Sequence, residues 1–319
     1  MALTLTHART TELRYDLPRV LDARRALVAA LAVLTLGYIV YWIGSVRRRS
    51  REQAPLPSAR PTLLQLAIGA VTNFFDTLGI GSFAPTTSIF KLRRLVPDEL
   101  IPGTLNVGHS LPTITQAFIF IAIVEVEIPT LVGMIAASVL GAWVGAGIVA
   151  GLPRRKVQIG MGCALLAAAS FFAMTNLGLL PSGGNTLGLT SPLLWVGIAG
   201  NFLLGALMTL GIGLYAPCMI LVALLGMNPR AAFPIMMGSC AFLMPVGSAR
   251  FIRTGSYSLA PAVGLTMGGI PAVLVAAFIV KSLPLTALRW LVVAVVAFAS
   301  AAMLRSARAD RRPPELRRT

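Results

Sequence analysis

The sequence predicts an all-α polytopic membrane protein. It reads as two inverted-topology repeats, each a broken or re-entrant helix hairpin plus three transmembrane helices, preceded by one extra N-terminal transmembrane helix. Three observations predict this class. Apolar runs of about 20 residues, the length needed to span a bilayer, recur along the chain. A short motif that interrupts such a run occurs twice, and basic residues collect at the termini and in particular loops.

The duplicated stretch is Thr77-Leu78-Gly79-Ile80-Gly81-Ser82-Phe83-Ala84-Pro85, which returns as Thr209-Leu210-Gly211-Ile212-Gly213-Leu214-Tyr215-Ala216-Pro217. Sliding residues 77–102 onto 209–234 gives ten identities in 26 positions, including Leu92/Leu224, Pro97/Pro229 and Pro102/Pro234. Chance would give roughly two, so the chain is internally duplicated. A Gly-x-Gly followed by Pro breaks a helix, and paired breaks in corresponding halves point to a transport site.

Composition sets the class. With 56% hydrophobic and 12% charged residues and a mean hydropathy of +0.80, the 319 residues cannot hide their apolar surface in a water-soluble core. The net charge of +16 is topology-setting charge in tails and loops, and nucleic acid is not an expected partner. Cys163, Cys218 and Cys240 lie in apolar segments without CxxC spacing, and His7 and His109 stand far apart, so neither a disulfide framework nor a metal site is read. No cofactor is expected, and no GxxxxGK[ST] motif is present.

Taken in order, residues 1–25 are a polar segment and 26–45 an extra transmembrane helix, read as a retained anchor. Residues 46–61 form a basic, Pro-bearing linker. The first repeat covers 62–179: an apolar run broken at Gly79-Ile80-Gly81, a short leg to about 92, then spans at 101–123, 128–151 and 157–178. A linker at 180–191 leads to the second repeat, 192–304, whose run breaks at Gly211-Ile212-Gly213, with a leg to about 226 and spans at 231–249, 258–280 and 285–304. A basic tail, 305–319, ends the chain. If each broken segment enters and leaves on one face, the basic stretches 46–61, 91–94, 154–156, 250–253 and 305–318 share one side, which is then cytoplasmic. Each repeat then has an odd number of crossings, so the halves are inverted.

The breaks free backbone groups that must face protein, water or a substrate. The legs beginning near Phe83 and Tyr215 present helix N-termini, which suit an anion. The substrate-binding set expected there is Gly79, Gly81, Ser82, Phe83, Gly211, Gly213, Leu214, Tyr215 and Cys218. Packing through small residues is the bland reading of the glycines, and a small buried packing residue that of Cys218. Asp76, an acid in an apolar run, is a candidate proton or cation carrier, with Asn73 one turn earlier; a capping or interfacial acid is its alternative. His109 forms a polar stripe with Asn106, Thr113 and Gln116, suited to a proton pathway or to interhelical hydrogen bonds. In the second repeat the equivalent region is polar at Ser239 and Cys240.

These residues resemble the TauE/SafE sulfite-exporter family of membrane permeases. The second half carries the resemblance best, through Gly211-Ile212-Gly213, Pro217, Met227-Asn228-Pro229-Arg230-Ala231-Ala232, Gly247-Ser248-Ala249-Arg250 and Arg253-Thr254-Gly255. The first half carries it through Gly79-Ile80-Gly81, Pro85 and Pro102-Gly103-Thr104. It covers about 62–305 and leaves out the first span and both tails. Ser82 and Leu214 replace the family's third Gly, and Phe83 and Tyr215 follow them. The resemblance implies export or uptake of sulfite, sulfonates or other sulfur-containing anions.

The expected function is a secondary transporter of a small anion by alternating access, one half rocking against the other, with Asp76 or His109 coupling a proton. Its expected place is the bacterial inner membrane, multi-pass, with a cytoplasmic C-terminus. The small anion and the lipid bilayer are its expected partners, and a homodimer stays open. A passive anion channel on the same fold, a membrane-embedded enzyme and a non-transporting assembly partner are the rivals. The enzyme lacks a visible nucleophile–base pair.

Overall fold

The computed structural model describes residues 2–52, 60–149, 154–179, 184–208 and 213–309. Gly211 and Ile212 of the second break, and the tail beyond residue 309, lie outside the described residues. The described chain is all-helical, without strands. The α-helices are α1 (Ala2–Glu52), α2 (Leu63–Thr77), α3 (Phe83–Arg93), α4 (Ile101–Ile123), α5 (Ile128–Val149), α6 (Arg154–Asn176), α7 (Leu193–Met208), α8 (Tyr215–Leu224), α9 (Ala232–Thr254), α10 (Leu259–Ser282) and α11 (Leu285–Ala309). One-turn 3₁₀ segments, Asp98–Leu100 and Pro229–Ala231, precede α4 and α9. The series α2 to α6 thus recurs as α7 to α11, with similar lengths.

Among the described residues, four segments are long and apolar enough to cross a membrane: Asp22–Arg51, Pro229–Thr254, Leu259–Ser282 and Arg289–Arg308. The helices α4, α5 and α6, also expected as spans, are not among them, and α5 and α6 count only as shorter apolar segments, Ile128–Val144 and Gln158–Ala167. In α4, His109, Ser110, Thr113 and Gln116 lower the hydropathy, and all four are buried against protein. The polar segment, anchor and start of the basic linker, expected as separate pieces, run together as the continuous helix α1. Arginine is a good helix former, so Arg47, Arg48, Arg49 and Arg51 extend the apolar helix rather than end it.

Contacts along α1 fix the directions of the central helices. Arg24 Nη2 donates to Val124 O at 2.5 Å, at the C-terminus of α4. Tyr38 Oη donates to Val107 O at 3.1 Å, nearer the start of α4. Tyr41 Oη reaches Ala249 O at 3.4 Å, and Arg49 Nη2 donates to Ile252 O and Arg253 O at 2.9 and 3.0 Å, at the C-terminus of α9. Arg24 and Arg49 lie about 37 Å apart along a helix rising 1.5 Å per residue. The helices α4 and α9 therefore run antiparallel, each with its C-terminal carbonyls capped by an arginine at opposite ends of the apolar part of α1, Asp22–Arg51.

Each broken segment folds back on itself. In the first, Asp76 meets Gln116 of α4, Thr86 meets His109, and Phe90 clusters with Ile101 and Leu105. The leg α3 therefore returns toward the end of α4 beside which α2 entered. In the second, Leu221 faces Gly200 and Leu225 faces Gly197, so α8 returns along α7. The breaks end α2 in the expected way: Gly79 and Gly81 take φ of +96° and +87°, which side chains disfavour. Pro85 and Pro217 sit in the first turns of α3 and α8, where a missing N–H costs nothing.

The repeats interlock. The largest packing interfaces are α2 on α10, α7 on α5, α6 on α11 and α4 on α9, each joining one repeat to the other. Glycine makes the hairpin contacts close: a Cβ at Gly141 would collide with the Phe202 carbonyl. Within α4, Pro112 cannot donate to Gly108 O, and the Thr266 hydroxyl of α10 supplies the hydrogen bond at 2.8 Å.

Gly141→Ala should therefore destabilise the detergent-solubilised protein by about 1–3 kcal/mol, the usual cost of overpacking. Gly37→Ala on α1, which meets nothing within 4 Å, should leave stability unchanged or raise it by about 0.5–1 kcal/mol. Thermal unfolding of the two variants beside the parent checks both.

Candidate functional site

The two hairpin tips meet beside α4. The α2 helix begins with a capping box, Thr62 Oγ1 accepting from Gln65 N and Gln65 Oε1 from Thr62 N, and ends at the first break. Its last turn places Asp76 and Thr77 toward α4. Gln116 Nε2 donates to Asp76 Oδ2 at 2.9 Å and lies 3.1 Å from Thr77 Oγ1. Ser82, the N-cap of α3, lies beside the Asp76 carboxyl, so this acid sits at the N-terminus of α3. From the second tip, Tyr215 Oη donates to Gln116 Oε1 at 2.8 Å. The Gln116 amide thus binds the first tip through its nitrogen and the second through its oxygen. The side chains of Asp76, Thr77, Ser82, Gln116 and Tyr215 are all at least nine-tenths buried.

A second rung lies one to two turns away. Asn73 Nδ2 donates to Gly69 O at 2.7 Å and reaches Leu265 O at 3.4 Å, which turns Oδ1 toward His109 Nδ1 at 3.0 Å. An amide oxygen only accepts, so Nδ1 carries a hydrogen. His109 Nε2 is 3.1 Å from Thr86 Oγ1, itself 2.7 Å from Ser82 O. In neutral His109 the Thr86 hydroxyl donates to Nε2. In the imidazolium Nε2–H donates to Thr86, which donates to Ser82 O. Either protonation state thus keeps the His109–Thr86 hydrogen bond, but only the imidazolium leaves the single Thr86 hydrogen for Ser82 O. Phe83 covers the ring with centroids 5.8 Å apart.

The second repeat builds its side differently. Asn201 Nδ2 donates to Met134 O at 2.6 Å and to Ser239 Oγ at 3.1 Å. Cys240 Sγ contacts Met208 Sδ at 3.7 Å, and Cys218 is fully buried. Leu214, the N-cap of α8, makes no side-chain cap, and Gly213 faces open space. Gly79 packs on the Met219 sulfur of α8, so the tips touch directly; Gly81 has nothing within 4 Å of a Cβ.

Of the residues singled out from the sequence, Asn73, Asp76, Ser82, Phe83, His109, Gln116 and Tyr215 come together. Asn106 does not: its Nδ2 donates to Pro102 O and its side chain faces Gly247 of α9. Ser239 joins Asn201 instead, and Gly211 lies outside the described residues. Thr77, Thr86 and Asn201 were not singled out. Asn201 had a signal of the same kind as Asn73, an amide inside an apolar run.

Residues 17–172 match one family model, whose description is Sulfite exporter TauE/SafE. This stretch, just under half of the chain, is similar to the TauE/SafE family. No curated protein and no solved structure matches the chain. The TauE/SafE match holds the first hairpin and α4, with Asp76, His109 and Gln116. It differs in extent from the motif-based resemblance, taking in most of α1 and stopping within α6. The second repeat, outside the match, resembles the first through the internal duplication. TauE/SafE is a transporter family, and the apolar helices fit a multi-pass membrane protein.

The Asp76–Gln116–Tyr215 chain should behave as one unit. Tyr215→Phe removes the donor to a buried amide oxygen and should cost about 1–3 kcal/mol. Combined with Asp76→Asn, it should show a coupling of about 0.5–3 kcal/mol in a double-mutant cycle of unfolding stability. Additivity would mean that the Gln116 amide does not link the tips.

Proposed function

We propose that this protein is a secondary transporter of a small anion, in the class of sulfite, sulfonates and other organosulfur oxyanions, working by alternating access. The observation that carries this reading is the buried Gln116 amide that touches both hairpin tips. A bilayer protein gains nothing from sinking an acid, an imidazole and a tyrosine hydroxyl at the meeting point of two broken helices unless they serve a path.

The inverted arrangement is supported by the antiparallel run of α4 and α9, with the first hairpin returning beside the start of α4 and the second beside the start of α5. Orientation follows from charge. The end of the bundle at which α9 terminates carries Arg47, Arg48, Arg49, Arg51, Lys91, Arg93, Arg94, Arg250, Arg253, Arg305 and Arg308; the other carries Glu125 and Glu127 with fewer cations, Arg24, Arg25, Arg230, Lys281 and Arg289. The basic end is cytoplasmic by the positive-inside rule, and the C-terminus with it. The membrane is the bacterial inner membrane.

The two tips differ in charge. The α3 N-terminus already holds the Asp76 carboxyl, whereas α8 begins at Tyr215 with no acid beside it, which makes α8 the anion-binding end. An anion within 4 Å of an ionised Asp76 would meet a repulsion of about 4 kcal/mol at an effective dielectric of 20. Protonating Asp76 removes it, so one proton travels with the anion, and His109 relays it. The moving bodies are not the sequence halves, whose interfaces with each other are the largest in the molecule. They are the first hairpin with α4 and α10, and the second hairpin with α5 and α9, working about the α4–α9 seam.

Reconstituted into liposomes, the protein should accumulate labelled sulfite or a sulfonate under an inward proton gradient, and a protonophore should abolish the accumulation. Asp76→Asn should lose accumulation and keep anion exchange, and Gly81→Leu and Gly213→Leu should lose both while remaining folded. Flux that only equilibrates and ignores the protonophore would make the protein a passive channel. No movement of any sulfur anion would sink the substrate class.

A further inference from the structure

We infer, resting on the alternating-access reading above, that two arginines latch opposite mouths of the protein: Arg230 the extracytoplasmic one and Arg49 the cytoplasmic one. In that reading the first hairpin, α4 and α10 move against the second hairpin, α5 and α9. A latch must join one body to the other near an end of the seam and part at modest cost. Ion pairs within the second body are not open to it, because no Asp or Glu occurs from Ile128 to Ala309. Carbonyls at helix C-termini are the strong acceptors that remain, since the last turn leaves them without intrahelical partners.

At the extracytoplasmic end the join is Arg230. It lies in the one-turn segment Pro229–Ala231 that leads into α9, where Asn228 Oδ1 accepts from Arg230 N at 3.0 Å. Its Nη2 crosses to α10 and donates to Leu283 O, the C-cap carbonyl, at 2.7 Å. The Nε of the same guanidinium is buried and has no partner among the described residues. The start of α9 and the end of α10 belong to different bodies, and this hydrogen bond spans them.

At the cytoplasmic end the join is Arg49. The helix α1 rides with the first body: Arg24 and Tyr38 donate to Val124 O and Val107 O of α4. Trp42 Nε1 donates to Tyr257 Oη at 3.1 Å, in a turn that Ser258 N ties to Thr104 Oγ1 of α4 at 2.9 Å. From there Arg49 Nη2 crosses to the second body and donates to Ile252 O and Arg253 O at the end of α9, with Tyr41 Oη adding a longer contact to Ala249 O at 3.4 Å. Gly255, at φ +71°, makes the room, because a Cβ there would collide with the Arg49 guanidinium. Ile252 O also accepts from Gly255 N at 3.3 Å, so it keeps a partner when Arg49 leaves. Both latches pair a guanidinium with neutral carbonyls, so parting leaves no opposite charge buried and unpaired. An arginine stays charged at any working pH, so latch strength does not follow pH.

Buried thiols report the opening. Cys218 and Cys240 are buried at the second tip, and the exposed Cys163 is removed as Cys163→Ser. The full chain is labelled with a membrane-impermeant thiol reagent in right-side-out and inside-out vesicles. Arg230→Ala should raise the rate from the extracytoplasmic face by about tenfold, the loss of one hydrogen bond to a charged group, and Arg49→Ala should do so from the cytoplasmic face. Arg230→Gln and Arg49→Gln, which drop the charge and keep a donor, should shift the rates the same way by less, and stand in should an alanine variant fold poorly. Arg155→Ala is the control: Arg155 Nε makes a similar bond to Ala307 O at 3.2 Å, but it joins α6 to α11, and labelling should not change. Unchanged labelling in an arginine variant overturns its latch, and so does a rise from both faces, which is general loosening. Labelling uses no anion, so side-specific opening without movement of any sulfur anion removes only the substrate class. Transport with unchanged labelling removes only the latches.

Discussion

The amide of Gln116 is the group on which the rest of the arrangement turns. Two helices break in the interior of an apolar protein, and the polar groups released there must be satisfied without water. Gln116 gives its nitrogen to Asp76 and Thr77 and its oxygen to Tyr215. That places α4 between the tips and forces its polar stripe inward. It also explains why α4 is as long as its counterpart α9 but falls outside the apolar segments long enough to cross a membrane. The interior polarity that lowers its hydropathy is the polarity the tips require.

Interlocking of the repeats follows from the same constraint. A hairpin that reaches only partway through the fold needs a long helix beside it, and each hairpin finds one in the other repeat: α2 lies on α10 and α7 on α5. Close approach is possible because glycines line these seams, so backbone carbonyls such as that of Phe202 occupy the space a side chain would fill. The helix α1 lies across the α4–α9 seam. Its Tyr38, Trp42 and Arg49 hold the end where α9 terminates, and Arg24 holds the end where α4 terminates. Arginine at a helix C-terminus answers both the free carbonyls and the negative end of the helix dipole. Inclusion of most of α1 in the TauE/SafE match agrees with this structural role.

The duplication is not a copy in chemistry. The first tip presents carboxyl, hydroxyl and imidazole groups in Asp76, Thr86 and His109. The second presents sulfur and neutral oxygen in Met208, Cys240, Asn201 and Ser239. Two equivalent backbones thus offer different environments to whatever lies between them.

From sequence alone, the membrane class, the duplication, the two breaks and most helix limits were legible, because apolar length and Gly-x-Gly/Pro breaks are local signals. Asp76, Asn73, His109 and Gln116 stood out for a similar reason: polar groups in apolar runs are costly wherever they end up facing. Only the tertiary structure decided which of them meet. Asn106 shares the helix and spacing of His109 yet faces α9, because the hairpin covers one face of α4 and the other repeat covers another. Thr77 and Thr86 are silent in sequence, since a threonine in a helix is ordinarily satisfied by its own backbone. Their roles arise from carbonyls and side chains supplied by helices far away in the chain, and such pairings depend on packing that no local pattern encodes.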